Sequence, residues 1–579
     1  MPRYGDDVTE FNVADVWEAL VAADPDHLAV VFRDRCFTRA MLDDRACRLA
    51  GVLASRGLGN HIDRSELAGW ESGQDHLAIY LHNGTEYLEA MLGAFKARLA
   101  PFNVNYRYVA EELRYLLADS SAQAIVYHST FAPTLAEVLP ELPLLTTLLQ
   151  VGDGSGNPLL PGALCYEEAL GTAVAPQLER SPDDLYILYT GGTTGSPKGV
   201  LWRQGDAFCE CFGGSRRATS LDEIVARATS PARAILSPPF MHGAAHWVAF
   251  TTWHRGGTVY IQDTPERLVP SEIWDLVERE HITLLLIVGD AFARPLLDEI
   301  RAHPRTGTSL TTLLSGGAAM SAGVKQQFLE LFPGLTIIDG LGSSEVGTQL
   351  QHLSSGDSAS TGRFPLSDTA AILSHDLTRE LQPGDPEIGW LAKRGPRLAL
   401  GYLGDADKTQ HTYPVISGKR FGVPGDKARI DADGMVELLG RESATINSGG
   451  EKIFAEEVEA AIKAHPAVYD CVVTGRPSER WGSEVVAIVH LRSETTEAAL
   501  TEEAAKHIAR YKLPKAYLFV DAVHRSPAGK PDYRWAKELA ASPGDWLAVL
   551  VASPPGDSGL LTSLESDGEV EMSLDWGTE

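Results

Sequence analysis

The sequence predicts an α/β protein of more than one domain, and three observations carry that reading. Its 579 residues exceed what one hydrophobic core sustains, so roughly two to four domain units are expected. Short β-branched and aliphatic runs alternate with stretches of helical apolar spacing from residue 12 to residue 520, the signature of helices layered on mainly parallel sheets. After Gly440 the composition shifts to a compact α/β unit of roughly 100 residues, long enough for a small separate domain.

Taken in order, residues 29–32 read as a strand and 39–55 as a helix with apolar residues at helical spacing; 76–81 follows as a strand and 86–96 as a helix. Further strands are predicted at 124–127, 185–189, 234–236, 284–287 and 336–338. In the last unit, helices at 455–464 and 502–511 accompany strands at 469–474 and 485–491. The polar stretch 60–74 reads as an insertion between a helix and a strand. The expected domains are therefore 1–440 and 441–540, joined near Leu438, with an acidic, flexible tail over 541–579. That tail has no Lys or Arg beyond Lys537 and too little apolar surface to order itself.

Charge and cysteine usage narrow the function classes. Fifty Lys and Arg stand against 78 Asp and Glu, a net charge of −28. So acidic a surface argues against nucleic acid and anionic lipid as partners. Six scattered cysteines do not make a disulfide framework, and only Cys209 and Cys211 lie close together, so all six are read as reduced thiols. The N-terminus is polar, and no apolar run approaches the roughly 20 residues of a membrane helix. A cytoplasmic protein without a transmembrane segment is expected.

The chemistry is concentrated after the strand 185–189, in Thr190-Gly191-Gly192-Thr193-Thr194-Gly195-Ser196-Pro197-Lys198-Gly199. Glycines let backbone N–H groups converge on phosphate oxygens, the hydroxyls add donors, and Lys198 adds a full charge. A Walker loop needs Gly directly before its Lys; here Pro197 stands there, which removes that reading.

The full string resembles the phosphate loop of the adenylate-forming superfamily, which includes acyl-CoA synthetases, peptide-synthetase adenylation domains and luciferases. Other segments match that family in order. Pro238-Pro239-Phe240-Met241-His242-Gly243 resembles the turn that walls the acyl pocket, which implies substrate contact for His242, Gly243 and Gly317. Ser315-Gly316-Gly317-Ala318 resembles the adenine segment, and Asp339-Gly340-Leu341-Gly342-Ser343-Ser344-Glu345 the motif whose Glu binds Mg²⁺. Leu341 replaces the usual aromatic ring and Ser344 the usual Thr. Gly425-Asp426 and Gly440-Arg441 resemble the two ribose-binding steps, with Ser443 at the hinge position. Ser448-Gly449-Gly450-Glu451-Lys452 resembles the segment lining the CoA tunnel. The acids Glu456, Glu457 and Glu459 that follow are read simply as a solvated helix N-terminus. Ser526-Pro527-Ala528-Gly529-Lys530-Pro531 resembles the loop that carries the catalytic Lys.

The resemblance covers about nine-tenths of the chain, from residue 11 to residue 537. It implies the adenylate-forming fold: a large N-terminal domain of mixed sheets flanked by helices, with a small mobile C-terminal α/β domain. It implies catalytic Lys530 and Glu345, Mg²⁺ on Glu345, and nucleotide contacts from the loop, Ala318, Asp339, Gly340, Ser343, Ser344, Asp426 and Arg441. ATP, coenzyme A and a carboxylic acid are the expected substrates, and a homodimer the candidate assembly. Strings at 103–108, 446–452 and 526–535 resemble most the fatty-acyl and steroid side-chain CoA ligases. Small residues Gly243, Ala244, Ala245, Val288, Gly289 and Gly317 suggest a roomy acyl tunnel. Loading of a carrier protein and a catalytically silent nucleotide-binding scaffold remain as alternatives.

Overall fold

The computed structural model describes residues 9–190, 196–305, 309–356, 359–360, 362–441, 444–448, 451–478, 481–526 and 529–542. Residues up to Ala541 form one compact unit.

An eight-stranded sheet is the spine of the large domain. Its order is Gly347–Ser355, Thr336–Ser343, Thr312–Gly316, Leu284–Ile287, Arg233–Leu236, Thr258–Ile261, Leu28–Phe32, Arg35–Thr38. The six inner strands pair in parallel and the two edge strands antiparallel. A five-stranded parallel sheet is built from Ala100–Asn103, His76–Tyr80, Ala124–His128, Thr147–Val151 and Leu164–Cys165. Helix Thr85–Lys96 is buried along its whole length, and its charged residues Glu86, Glu89 and Lys96 are each ion-paired, with Arg35, with Arg45, and with Glu18 and Asp43. Helix Arg39–Ser55 packs on it, and one apolar cluster draws side chains from both sheets' helices.

Between residues 363 and 441 the chain forms an antiparallel sheet of short strands around Phe364, Ile372, Leu391, Ala428 and Val436. The sequence reading placed no strands there. The small domain has its own core of Val458, Ile462, Val473, Val489 and Leu500. Helices Ala455–Lys463, Glu497–Ala504 and Tyr533–Ala541 accompany the sheet Val468–Ser478, Gly482–Leu491, Ala516–Phe519.

Helix 39–55 and strand 284–287 fall where the sequence places them. The helix expected at 502–511 does not. The Thr496 hydroxyl accepts from the Ala499 N–H and starts a helix that ends at Ala504. The chain then turns and buries Ile508 in the same core before a short 3-10 turn at Arg510–Lys512. Glu456 and Glu459 also depart from expectation, because Glu459 is buried and Glu456 half-buried. Glu459 accepts from the Val473 N–H (3.0 Å) and the Tyr533 hydroxyl (3.2 Å). The helix N-terminus faces the large domain and the small-domain core, so its acids are packed rather than solvated.

Candidate nucleotide and acyl site

A deep cleft opens beyond the carboxyl ends of the parallel strands Thr312–Gly316 and Thr336–Ser343, the usual place for a ligand in an open α/β sheet. Strand Leu185–Thr190 reaches its rim and returns as Lys198–Arg203, with Thr190 opposite Lys198. The five residues of the phosphate loop between them, Gly191, Gly192, Thr193, Thr194 and Gly195, lie outside the described residues. So do Gly449, Gly450 and Ser443. Asn103 fixes this stalk: its amide donates to the carbonyls of Tyr189 (2.8 Å) and Met241 (2.7 Å) and accepts from the Tyr189 N–H (2.8 Å). One buried side chain thus holds the loop strand against the His242 turn. Lys198 lies 3.5 Å from Asp119, which also accepts from the Tyr189 hydroxyl at 2.8 Å.

Glu345 is held at the cleft from two directions. The Tyr402 hydroxyl donates to its Oε1 at 2.8 Å, and the Tyr413 hydroxyl to its backbone carbonyl at 3.0 Å. Tyr402 arrives there because Gly401–Tyr402 pairs with Val200 and Leu201 on the strand leaving the phosphate loop. The indole of Trp202, on the same strand, donates to the Ser344 carbonyl at 2.8 Å. Sequence reasoning missed all three aromatic residues; no local motif marks them.

On the facing wall, Gly316, Gly317, Ala318, Asp339, Gly340, Ser343 and Ser344 line the cleft. Gly317 has φ +85°, a left-handed conformation that glycine adopts without strain. Asp339 is tied to the buried ammonium of Lys325 at 2.5 Å, and burial raises its carboxyl above the usual range against the pull of that cation.

Asp426 and Arg441 face each other on paired strands, with Nε 3.2 Å from Oδ1. Burial raises the Asp426 carboxyl, opposed by Arg441. Glu456 reaches up from the small domain: Oε1 lies 3.5 Å from the Arg441 N–H, and burial lifts this carboxyl to about 7. Lys530 enters the same space on a loop closed by Ser526, whose N–H donates to the Lys530 carbonyl (2.9 Å) and whose hydroxyl accepts from the Lys530 N–H (3.2 Å). Its side chain is open to the cleft. The surrounding protein walls and the nearby Arg441 push its ammonium below the normal lysine range, while Glu345 and Asp426 oppose that shift. His242 stands close by. Burial first, then the Lys530 charge, hold its imidazole down at about 3, so it is neutral near pH 7.

Below the nucleotide end the cleft continues as a slot. Helix Gly243–His254 turns the half-exposed residues Gly243, Ala244, Trp247, Val248 and Thr251 toward it, while Ala245, Ala249, Phe250 and Trp253 pack in the core. Across from it Thr312, Leu314 and Gly316 alternate with the buried Leu313 and Ser315, although an inner parallel strand is normally covered on both faces. Ala245 and Gly289 therefore belong to the packing, whereas Gly243, Ala244, Val288 and Gly317 line the space. A buried relay fixes Trp247: its indole donates to the Tyr186 hydroxyl (3.0 Å), which bonds His246 Nε2 (2.5 Å), whose Nδ1 bonds the Phe240 carbonyl (2.6 Å). The slot reaches Ser230, Arg255 and Thr311 at the amino ends of the strands.

This nucleotide cleft with its apolar extension, set between a large and a small α/β domain, is the architecture of the adenylate-forming enzymes. The chain belongs to the AMP-binding enzyme family: residues 17–403 match the family's main domain and residues 457–530 its C-terminal domain. It is 50% identical to the medium-chain acyl-CoA ligase Mig of Mycobacterium avium, over 93% of this chain and all of the relative. It is 40% identical to a medium/long-chain-fatty-acid and 3-oxocholest-4-en-26-oate CoA ligase of Mycolicibacterium smegmatis, covering 91% of this chain and 96% of the relative. In fold it resembles the anthranilate CoA ligase AuaEII, with a TM-score of 0.76 at 21% identity over 92% of this chain and 98% of that one.

Proposed function

We propose that the protein is an AMP-forming acyl-CoA synthetase that activates a medium- to long-chain or steroid side-chain acid and transfers the acyl group to coenzyme A. The observation that carries this reading is the convergence of Glu345, Asp426, Arg441 and Lys530 on one cleft that runs on into an apolar slot. Four residues scattered over two domains would not share a cavity for packing reasons, since each costs desolvation there. The activities named for the relatives at 50% and 40% identity support the same conclusion.

The chemistry follows from the charges. The acid is ionised near neutral pH, so no general base is required. Its oxygen attacks the α-phosphorus of ATP, and pyrophosphate leaves with the P–O bond pair. Lys530 sits where it can bridge the two anions as they approach and hold the geometry of attack. Asp426, ionised, is suited to accept from both ribose hydroxyls, with Arg441 holding it in place. The CoA thiol then displaces AMP from the mixed anhydride to give the thioester.

The hydroxyls of Thr190 and Ser344 and the Glu345 carboxylate are all hard oxygen donors, the set that Mg²⁺ takes. Tyr402 engages one oxygen of Glu345, and among the described residues the other has no hydrogen-bond partner. These residues would hold the ion, whose charge would neutralise the departing phosphates.

The slot supports the acid class. From Gly243 to Arg255 the helix advances about 18 Å, room for an extended chain of about a dozen carbons. The test is acid-dependent AMP release across butyrate, octanoate, palmitate, benzoate and a steroid side-chain acid, with CoA or a holo-carrier protein as acceptor. Medium, long or steroid acids should lead, with CoA preferred. Activity confined to benzoate or to the carrier would overturn the reading.

A further inference from the structure

We propose that Tyr469 is a positioning residue for Lys530, a clasp that seats the small domain on helix Gly289–Ala302 so that the Lys530 loop enters the cleft. The inference rests on the ligase reading above, in which Lys530 serves adenylate formation.

Three independent features meet at this residue. The first is a bulge. Strand Val468–Ser478 pairs with Gly482–Leu491 as Val468↔Leu491 and then Asp470↔His490, which leaves Tyr469 as the extra residue. A bulge takes its side chain out of the regular alternation and re-aims it. The second is what the ring meets. The guanidinium of Arg294, on the large-domain helix, lies 5.9 Å from the ring centroid, and that of Arg492, in the small domain, 5.2 Å. Arg492 is also 3.5 Å from Asp298 on the same helix, and Arg294 is fixed 3.1 Å from Asp290. The ring is thus shared by one cation from each domain, and Arg492 makes its ion pair across the boundary.

The third is the path to the lysine. Asp470, next in the chain, binds Arg525 through both carboxylate oxygens (2.6 and 2.7 Å), and Arg525 donates to the Gly529 carbonyl at 2.9 Å. Gly529 precedes Lys530 and has φ +67°; a Cβ there would stand 3.1 Å from Val288 and 3.3 Å from Ala291. The Lys530 loop therefore rests on the start of the helix whose later turns carry Arg294 and Asp298. Two points of support on one rigid helix fix an angle, whereas one point leaves a pivot. Tyr469 supplies the second point and touches no reacting atom.

The test uses the full chain and separates the half-reactions: acid-dependent pyrophosphate release, and thioester formation from supplied acyl-adenylate. Tyr469→Ala should lower the turnover of adenylate formation about tenfold, by loosening the attack geometry, and leave the thioester step within about twofold. Tyr469→Phe keeps the ring over both cations and should restore the first step. Asp298→Ala, at a half-exposed side chain outside the core, should give the same one-sided loss, about threefold. Equal loss in both half-reactions, a Phe variant as impaired as Ala, or unchanged rates would overturn the clasp. Absence of acid-dependent pyrophosphate release from the unaltered protein would instead overturn the ligase reading, so the two failures are distinguishable.

Discussion

In the role proposed for it, Lys530 must carry its charge, and its surroundings pull that ammonium both ways. The protein walls and then Arg441 lower its pKa; Glu345 and Asp426 oppose this. The charged form is needed to bridge two anions, so adenylate formation should be lost as pH rises through a value below the normal lysine 10.5. The alkaline limb of its pH–rate profile reads this directly. Asp426→Asn removes an opposing anion and should move the limb further down, and Lys530→Arg should erase it over the measurable range. Lys530→Ala should cost about 10²–10³-fold in adenylate formation, the range for one charge-stabilising donor, and spare thioester formation from supplied acyl-adenylate. Loss of both steps equally would remove Lys530 from its assigned role. That Glu345, Asp426, Arg441 and Lys530 belong together was legible in the sequence because each sits in or beside a short glycine-containing segment with a chemical signature, and the structure brings them to one cleft. Asn103, Tyr402 and Tyr413 were not legible as partners, since what places them is strand pairing and burial, which no local pattern encodes.

At the scale of elements, the slot depends on one helix face and one strand face. Gly243–His254 has apolar residues on all sides, so the sequence could not say which side faces a cavity. The stripe Gly243, Trp247 and Thr251 is distinguished only by what the sheet leaves uncovered. Leu314 lies midway along the opposing strand, between Thr312 and Gly316. Leu314→Trp should truncate the slot: kcat/KM for palmitate should fall at least about tenfold, as expected when several buried methylenes are excluded, and that for butyrate should hold. A uniform fall for every acid would point to damage at the nucleotide end instead. Tyr186→Phe releases the Trp247 indole and should narrow the difference between bulky and straight acids, read from the same rate ratios. The parallel strands Leu28–Phe32, His76–Tyr80, Ala124–His128, Arg233–Leu236, Leu284–Ile287 and Thr336–Ser343 were found from the sequence because each holds a continuous apolar run. Ala100–Asn103, Thr147–Val151, Leu164–Cys165, Thr258–Ile261 and Thr312–Gly316, shorter or broken by polar residues, were not. The antiparallel strands between residues 363 and 441 are short, mixed in polarity and broken by turns, and they read as loop until their pairing is seen.

For the molecule as a whole, the buried titratable groups oppose one another as pH falls. Burial lowers His128, His246 and His254 to about 4, so each stays neutral in the folded chain while its unfolded counterpart takes a proton near 6.5. Each therefore withdraws stability as pH drops from about 6.5 toward 4, at about 1.4 kcal/mol per pH unit. Burial raises Glu89 and Glu456 to about 7 and Asp206 to about 6, so these bind protons in the folded chain first. Their contribution grows as pH falls through those values and is lost as pH rises again. The two kinds of group act with opposite sign between pH 7 and 5, and single substitutions should expose each. His254→Gln removes one proton taken up only on unfolding, so the variant should gain on the unaltered protein by about 1.4 kcal/mol per unit of acidification below 6.5. Glu89→Gln removes one taken up on folding, so it should fall behind by a similar slope below pH 7. Urea midpoints at pH 7.5, 6 and 5 measure both, and slopes of the same sign in the two variants would show that burial does not set these titrations.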